Sequence, residues 1–152
     1  MPPPAPVYIV FASTPLPAGV PYDAAGVDPH AQRFFRTRLR TAAGSVLVTP
    51  DGEAPGERAV TVRARSAEDL ELAEEAERRA GGGGLVTVAR RCRSVLVVTR
   101  ESAADRLALR LAAILASAHL GPIVDPSTGQ MFGVKTARAK LEALATGGDP
   151  PS

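Results

Sequence analysis

Four short runs, Val7 to Ala12, Ser45 to Thr49, Ala59 to Arg65 and Val95 to Thr99, are rich in Val, Thr and other β-favouring side chains. Runs this brief, punctuated by Pro, Gly and Ser, suit pleated strands rather than helices. The first and last are continuously apolar, as strands buried in a core are. In Ala59 to Arg65 the apolar Val60, Val62 and Ala64 alternate with Thr61, Arg63 and Arg65, the pattern of a half-buried strand. Between the second and third runs, Pro50-Asp51-Gly52-Glu53-Ala54-Pro55-Gly56 has the punctuation of a hairpin loop. A chain with four such runs is committed to a sheet, and the question becomes what covers it.

Helical periods supply the cover. From Asp28 to Gly44 the pattern fits two elements. Alternation of Phe35, Thr37, Leu39 and Thr41 with Arg36, Arg38 and Arg40 suits a strand, whereas Ala31, Phe34, Phe35, Leu39 and Ala42 fall on one helical face. Asp28 as N-cap, Pro29 in the first turn and Gly44 as C-cap favour the helix. Ser66 with Asp69 forms a near capping box that opens an acidic helix running to Ala80, where Gly81 to Gly84 stop it. Leu85 to Ala89 is a short apolar piece. Ser102 and Asp105 cap a helix that is apolar almost all round from Leu111 to Ala116 and ends at His119-Leu120-Gly121-Pro122. Ile123-Val124 and Gln130-Met131-Phe132 flank a turn at Asp125 to Gly129, and Val134 to Ala145 forms a last helix with Val134, Ala137, Leu141 and Leu144 on one stripe.

This order of strands and helices predicts an α+β fold: a ferredoxin-like βαββαβ antiparallel sheet with helices on one face, extended by an apolar helix, a small hairpin and a final helix. With 152 residues there is room for one such domain, placed over residues 7–145. Residues 1–6, with four prolines, read as a disordered lead-in, and TGGDPPS at 146–152 as a disordered tail. The proline-rich stretch after Ala12 reads as a mobile or binding loop.

Chemical signatures are sparse. A single cysteine cannot form an internal disulfide, no secretory leader is legible, and the longest apolar stretch, Leu111 to Ala118, falls far short of a membrane span. A cytoplasmic protein without a membrane partner is the expectation. Two histidines, one cysteine and scattered carboxylates have no metal-ligand spacing, and the four glycines lack the strand-before, helix-after context of a phosphate loop, so no metal or cofactor is expected. Cys92, between Arg91 and Arg93, suggests a small Cys-dependent enzyme if those charges favour a thiolate, and a small core residue otherwise. His119 at a helix C-terminus is explained by the helix dipole, and His30 by a place on the surface. Asp125 can either display its carboxylate beside Ser127 and Thr128 or bond its own turn backbone.

The 16 arginines against two lysines fit the alanine- and proline-rich style of a GC-rich genome, and the net charge is only +2. The distribution is less bland. Arg33, Arg36 and Arg40, on one face of the expected helix, and Arg90, Arg91 and Arg93 form basic clusters, set against an acidic helix at 68–77. Such clusters can grip phosphates, which makes nucleic acid a possible partner, or acidic protein surfaces. The scarcity of aromatic residues removes a base-stacking platform.

Cys92 to Thr99, the apolar helix after it, and Gly121-Pro122-Ile123-Val124-Asp125-Pro126-Ser127-Thr128-Gly129 together resemble small bacterial α+β domains of unknown function. Some of these are similar to immunity proteins encoded beside polymorphic toxins. The resemblance spans residues 85–132 and implies a non-enzymatic protein that binds a protein partner through a complementary charged surface. The proline-rich amino-terminal loop departs from it. On this reading the binding residues are Arg33, Arg36, Arg40, Arg90, Arg91, Arg93 and Asp125, and segregated charge provides specificity and association rate.

Overall fold

A computed structural model describes residues 6–145; the expected lead-in up to residue 5 and the tail lie outside the described residues. Seven strands form one antiparallel sheet: β1 (Val7–Ala12), β2 (Thr37–Ala42), β3 (Ser45–Pro50), β4 (Gly56–Ala64), β5 (Ser94–Thr99), β6 (Ile123–Asp125) and β7 (Gln130–Phe132). Five helices accompany them: α1 (Pro29–Phe34), α2 (Ala67–Ala80), α3 (Leu85–Arg91), α4 (Arg106–His119) and α5 (Val134–Ala145). The chain is therefore α+β, as its runs and periods predict.

The topology differs from the ferredoxin-like expectation in two respects. The strand order is β2-β3-β4-β5-β1-β6-β7, so β1 lies between β5 and β6, whereas a ferredoxin-like sheet would set β1 beside β4. Helices also cover two faces rather than one. Tyr8 and Val10 of β1 share a core with Leu96, Val98 and α4, while Ile9 and Phe11 share another with Val95, Val124 and the residues of α2 and α3. A strand places successive side chains on opposite faces, and β1 and β5 are apolar on both because both faces are covered. The second layer does not extend across the whole sheet. On that face Arg38, Arg40, Glu57 and Thr61 are exposed.

The expected helix over 28–44 is two elements. Asp28 does cap a helix, its carboxylate accepting the His30 N–H at 2.8 Å, and Pro29 opens it, but the helix ends after six residues. Arg36 adopts left-handed backbone (φ 48°) and the alternating pattern then wins: Thr37 and Leu39 are buried in β2, Arg38 and Arg40 exposed. Gly44 (φ 75°) is not a helix cap. It turns the β2–β3 hairpin, where Ala42 pairs with Ser45. Partners on β3 settle the choice in favour of the strand, since both periods are present locally. Leu85 to Arg91 is likewise a short helix, so a helix and not a strand follows the glycines.

Ser66 and Asp69 close a full capping box on α2, and Gly81 ends it in left-handed conformation. Asp105 alone caps α4, accepting the Ala108 N–H, while Ser102 contributes only its carbonyl. α4 runs along β1 beneath α5, which explains an apolar surface nearly all round; Leu111, Ile114 and Leu115 are fully buried, each contributing about 1.5–3 kcal/mol. The proline-rich loop is anchored. Tyr22, Ala24 and Val27 are buried, and the Gly19 N–H donates to Val62 O. After Leu120, Gly121 crosses the end of β1, where a Cβ would lie 1.8 Å from the Phe11 carbonyl oxygen.

Candidate functional site

The charged residues fall into two groups, and the strands and helix caps do the sorting. The buried and half-buried arginines that tie the elements together have partners. Arg58, from β4, holds Asp105 at the start of α4 through two bonds of 2.8 and 3.0 Å. Arg63 grips Asp69, binding the α2 cap to the neighbouring strand. Burial works to raise both carboxyls, but the arginine and backbone hydrogen bonds outweigh it and hold them below the ordinary carboxylate range. Arg110 and Arg106 of α4 share Glu53 from the β3–β4 loop. Arg65 donates through Nη1 to the carbonyls of Ala89, Arg90 and Cys92, so it caps the C-terminus of α3.

Asp125 belongs to this inner group. Its side chain is 9% exposed, and Oδ1 accepts from Arg100 Nη1 at 2.7 Å, from Ser127 Oγ at 2.6 Å and from the Ser127 N–H at 3.0 Å. Arg100, 2% exposed, also donates to Ala103 O and lies 4.1 Å from the centre of the Tyr8 ring. The carboxylate ties a turn to the end of β5 and is not displayed at the surface, which corrects the expectation of Asp125 as a binding residue. The turn-bonding alternative is the one observed.

Outside, the predicted arginines stand without an ion pair among the described residues: Arg33, Arg36, Arg40, Arg90, Arg91 and Arg93 are all exposed. They do not meet in one site. Arg93 precedes Ser94, which pairs with Ala64 at one end of the sheet; Arg36 precedes Thr37, which pairs with Pro50 beyond the opposite end. Nor do Arg33, Arg36 and Arg40 share a helix face, since they occupy α1, the break after it and β2. On α2, Glu68, Glu71 and Glu74 close no ion pair among the described residues, while Glu75 takes Arg78 and Arg79. Because α2 packs against α3, this acidic face and the Arg90–Arg93 cluster belong to one layer.

Cys92 is fully buried. Its thiol donates to Val88 O at 3.3 Å and lies 3.6 Å from Ser13 Oγ; burial pushes its pKa up, only partly offset by Ser13 and by the charge of Arg65. The flanking Arg91 and Arg93 are exposed, and the charge that acts on the thiol is that of Arg65. His119 is not a dipole-stabilised surface cation either. It is 6% exposed, its Nε2 lies 2.7 Å from Tyr22 Oη, its Nδ1 has no partner among the described residues, and desolvation lowers its pKa. No local pattern marks this pair, whose members are 97 residues apart.

Another feature without a local sequence signal is a groove of about 610 Å³ at the outer edge of β7, between α2 and α5. Among the described residues no group of three or more His, Cys, Asp or Glu is placed to hold a metal ion, and no helix is long and apolar enough to cross a membrane. No family model, curated protein or solved structure matches this chain. The functional reading therefore rests on its own geometry.

Proposed function

We propose that this chain is a non-enzymatic protein-binding domain of the inhibitor, immunity or accessory-subunit kind, acting through a charge-segregated surface. The observation that carries the reading is the sorting of charge. Arginines that serve the fold are paired with carboxylates or carbonyls, whereas Arg90, Arg91 and Arg93 stand exposed and close no ion pair among the described residues, in the same layer as Glu68, Glu71 and Glu74. Like charges gathered on one layer without counter-ions repel one another, and a partner of opposite pattern relieves that repulsion. A cytoplasmic location and an immunity-type role are the finer parts of the same proposal.

The test uses the full chain as bait in extract from its native cell, alongside a variant carrying Arg90→Glu, Arg91→Glu and Arg93→Glu. A defined protein held at moderate salt by the parent and released by the variant is the expected result. Binding that tracks nucleic acid and falls steeply with salt would replace the reading with a phosphate-binding one.

A further inference from the structure

The groove at β7 deepens the proposed function and rests on it. β7 is the last strand of the sheet, and its outer side pairs with nothing among the described residues. The Phe11 N–H donates to Pro122 O, which sets the alternation along β6: Val124 turns its backbone groups to β1, Ile123 and Asp125 turn theirs to β7. Met131, opposite Val124, therefore directs its N–H and C=O outward, into the groove. One wall is Ala76 and Arg79 of α2 with Leu85; the other is Thr136, Ala139 and Lys140 of α5. Small side chains on both walls keep the strand edge accessible.

Among the described residues, two cations and no carboxylate line this space. Arg79 is held at one lip against Gly129, where a Cβ would lie 2.5 Å from its Nη1, and it reaches Glu75 at 3.4 Å on its outer side. Lys140 stands at the other lip, 3.2 Å from Gln130 Oε1 and 5.2 Å from the centre of the Phe132 ring. The groove continues past Leu85 and Gly133 into an apolar depression of about 390 Å³ bordered by Leu120, which is 71% exposed. A strand edge, a cation on each wall and an apolar extension define one kind of occupant.

We propose that the groove receives an extended acidic segment of the partner protein, added as a strand to β7 through Met131, with carboxylates against Arg79 and Lys140. Three residues of edge supply few backbone hydrogen bonds, so charge and apolar contact select the segment.

The test is titration of the full chain with a labelled, end-capped octapeptide alternating Val and Glu, and with its Val–Lys counterpart, read by polarisation and by amide chemical shifts. The glutamate peptide is expected to saturate, to shift the Met131 amide and its neighbours most, and to bind about tenfold or more weakly to the Arg79→Glu, Lys140→Glu variant. Equal binding of the lysine peptide, shifts centred away from β7, or indifference to the charge reversal overturns the proposal. If the glutamate peptide fails while the Arg90, Arg91 and Arg93 reversal still releases the captured partner, the groove is overturned and the protein-binding reading stands.

Discussion

Replacing Asp125 by Ala separates a structural carboxylate from a binding one. Arg100 and Asp125 are 2% and 9% exposed and joined at 2.7 Å, so the substitution leaves a buried guanidinium whose remaining company among the described residues is Ala103 O, Ser127 Oγ at 3.5 Å and the Tyr8 ring. Removing one member of a buried pair costs about 3–5 kcal/mol, because the remaining charge has lost its counter-ion and regained no water. The Ser127 bonds to the same carboxylate add about 1 kcal/mol. Against a total stability of about 5–15 kcal/mol, this brings the domain close to unfolding. In urea, with a slope of about 2 kcal/mol/M, a loss of about 4 kcal/mol lowers the midpoint by about 2 M. The double variant Arg100→Met, Asp125→Ala removes both charges and should recover much of the loss, giving a coupling of about 2–3 kcal/mol. A midpoint shift below about 0.5 M for Asp125→Ala would refute the assignment, above all if partner capture were lost at the same time.

Gly121→Ala should cost at least about 3 kcal/mol, because the new Cβ meets backbone and forces apart the Phe11 N–Pro122 O and Ser13 N–His119 O bonds, whereas Gly26→Ala, with open space, should stay within about 0.5 kcal/mol in the same urea assay. Cys92 should react with an aromatic disulfide reagent at pH 8 at least about a hundredfold more slowly than a free thiol and become fast only in denaturant; rapid native-state labelling would contradict its burial. Burial depresses the folded-state pKa of His119, so above about pH 6.5 its contribution to stability is complete, and below that the unfolded chain binds the proton first and stability falls. Urea midpoints should drop between pH 7.5 and 5.5, and a His119→Gln variant should flatten that drop; the carboxylates Asp69 and Asp105, held low, act only in the window below about pH 4.

Much of the secondary structure is written in local chemistry. The Ser66–Asp69 box, the apolar stripe of α5 and the turn at Asp125 each act within a few residues, and each is where its residues place it. Segment 28–42 shows where locality ends. Asp28 and Pro29 start a helix as they should, but Thr37 and Leu39 gain cross-strand partners in Pro50 and Val48 that no helical period can register. Strand order is non-local in the same way: nothing in Val7 to Ala12 states that it will lie between β5 and β6, although its apolar residues on both parities do foretell cover on two faces. At the candidate site the basic clusters were legible as charge. Their placement at opposite ends of the sheet, the withdrawal of Asp125 into a buried pair and the groove at β7 all follow from pairing between distant segments.

Whether the exposed charges that close no ion pair among the described residues exist for a partner is the central question. Its most direct test is the association rate of the captured protein with the parent chain and with the Arg90→Glu, Arg91→Glu, Arg93→Glu variant, across a salt series. The expected result is a parent rate that falls as salt rises and a variant rate lower by about tenfold or more at low salt, the two converging at high salt. Equal rates for both chains at every salt concentration would contradict it.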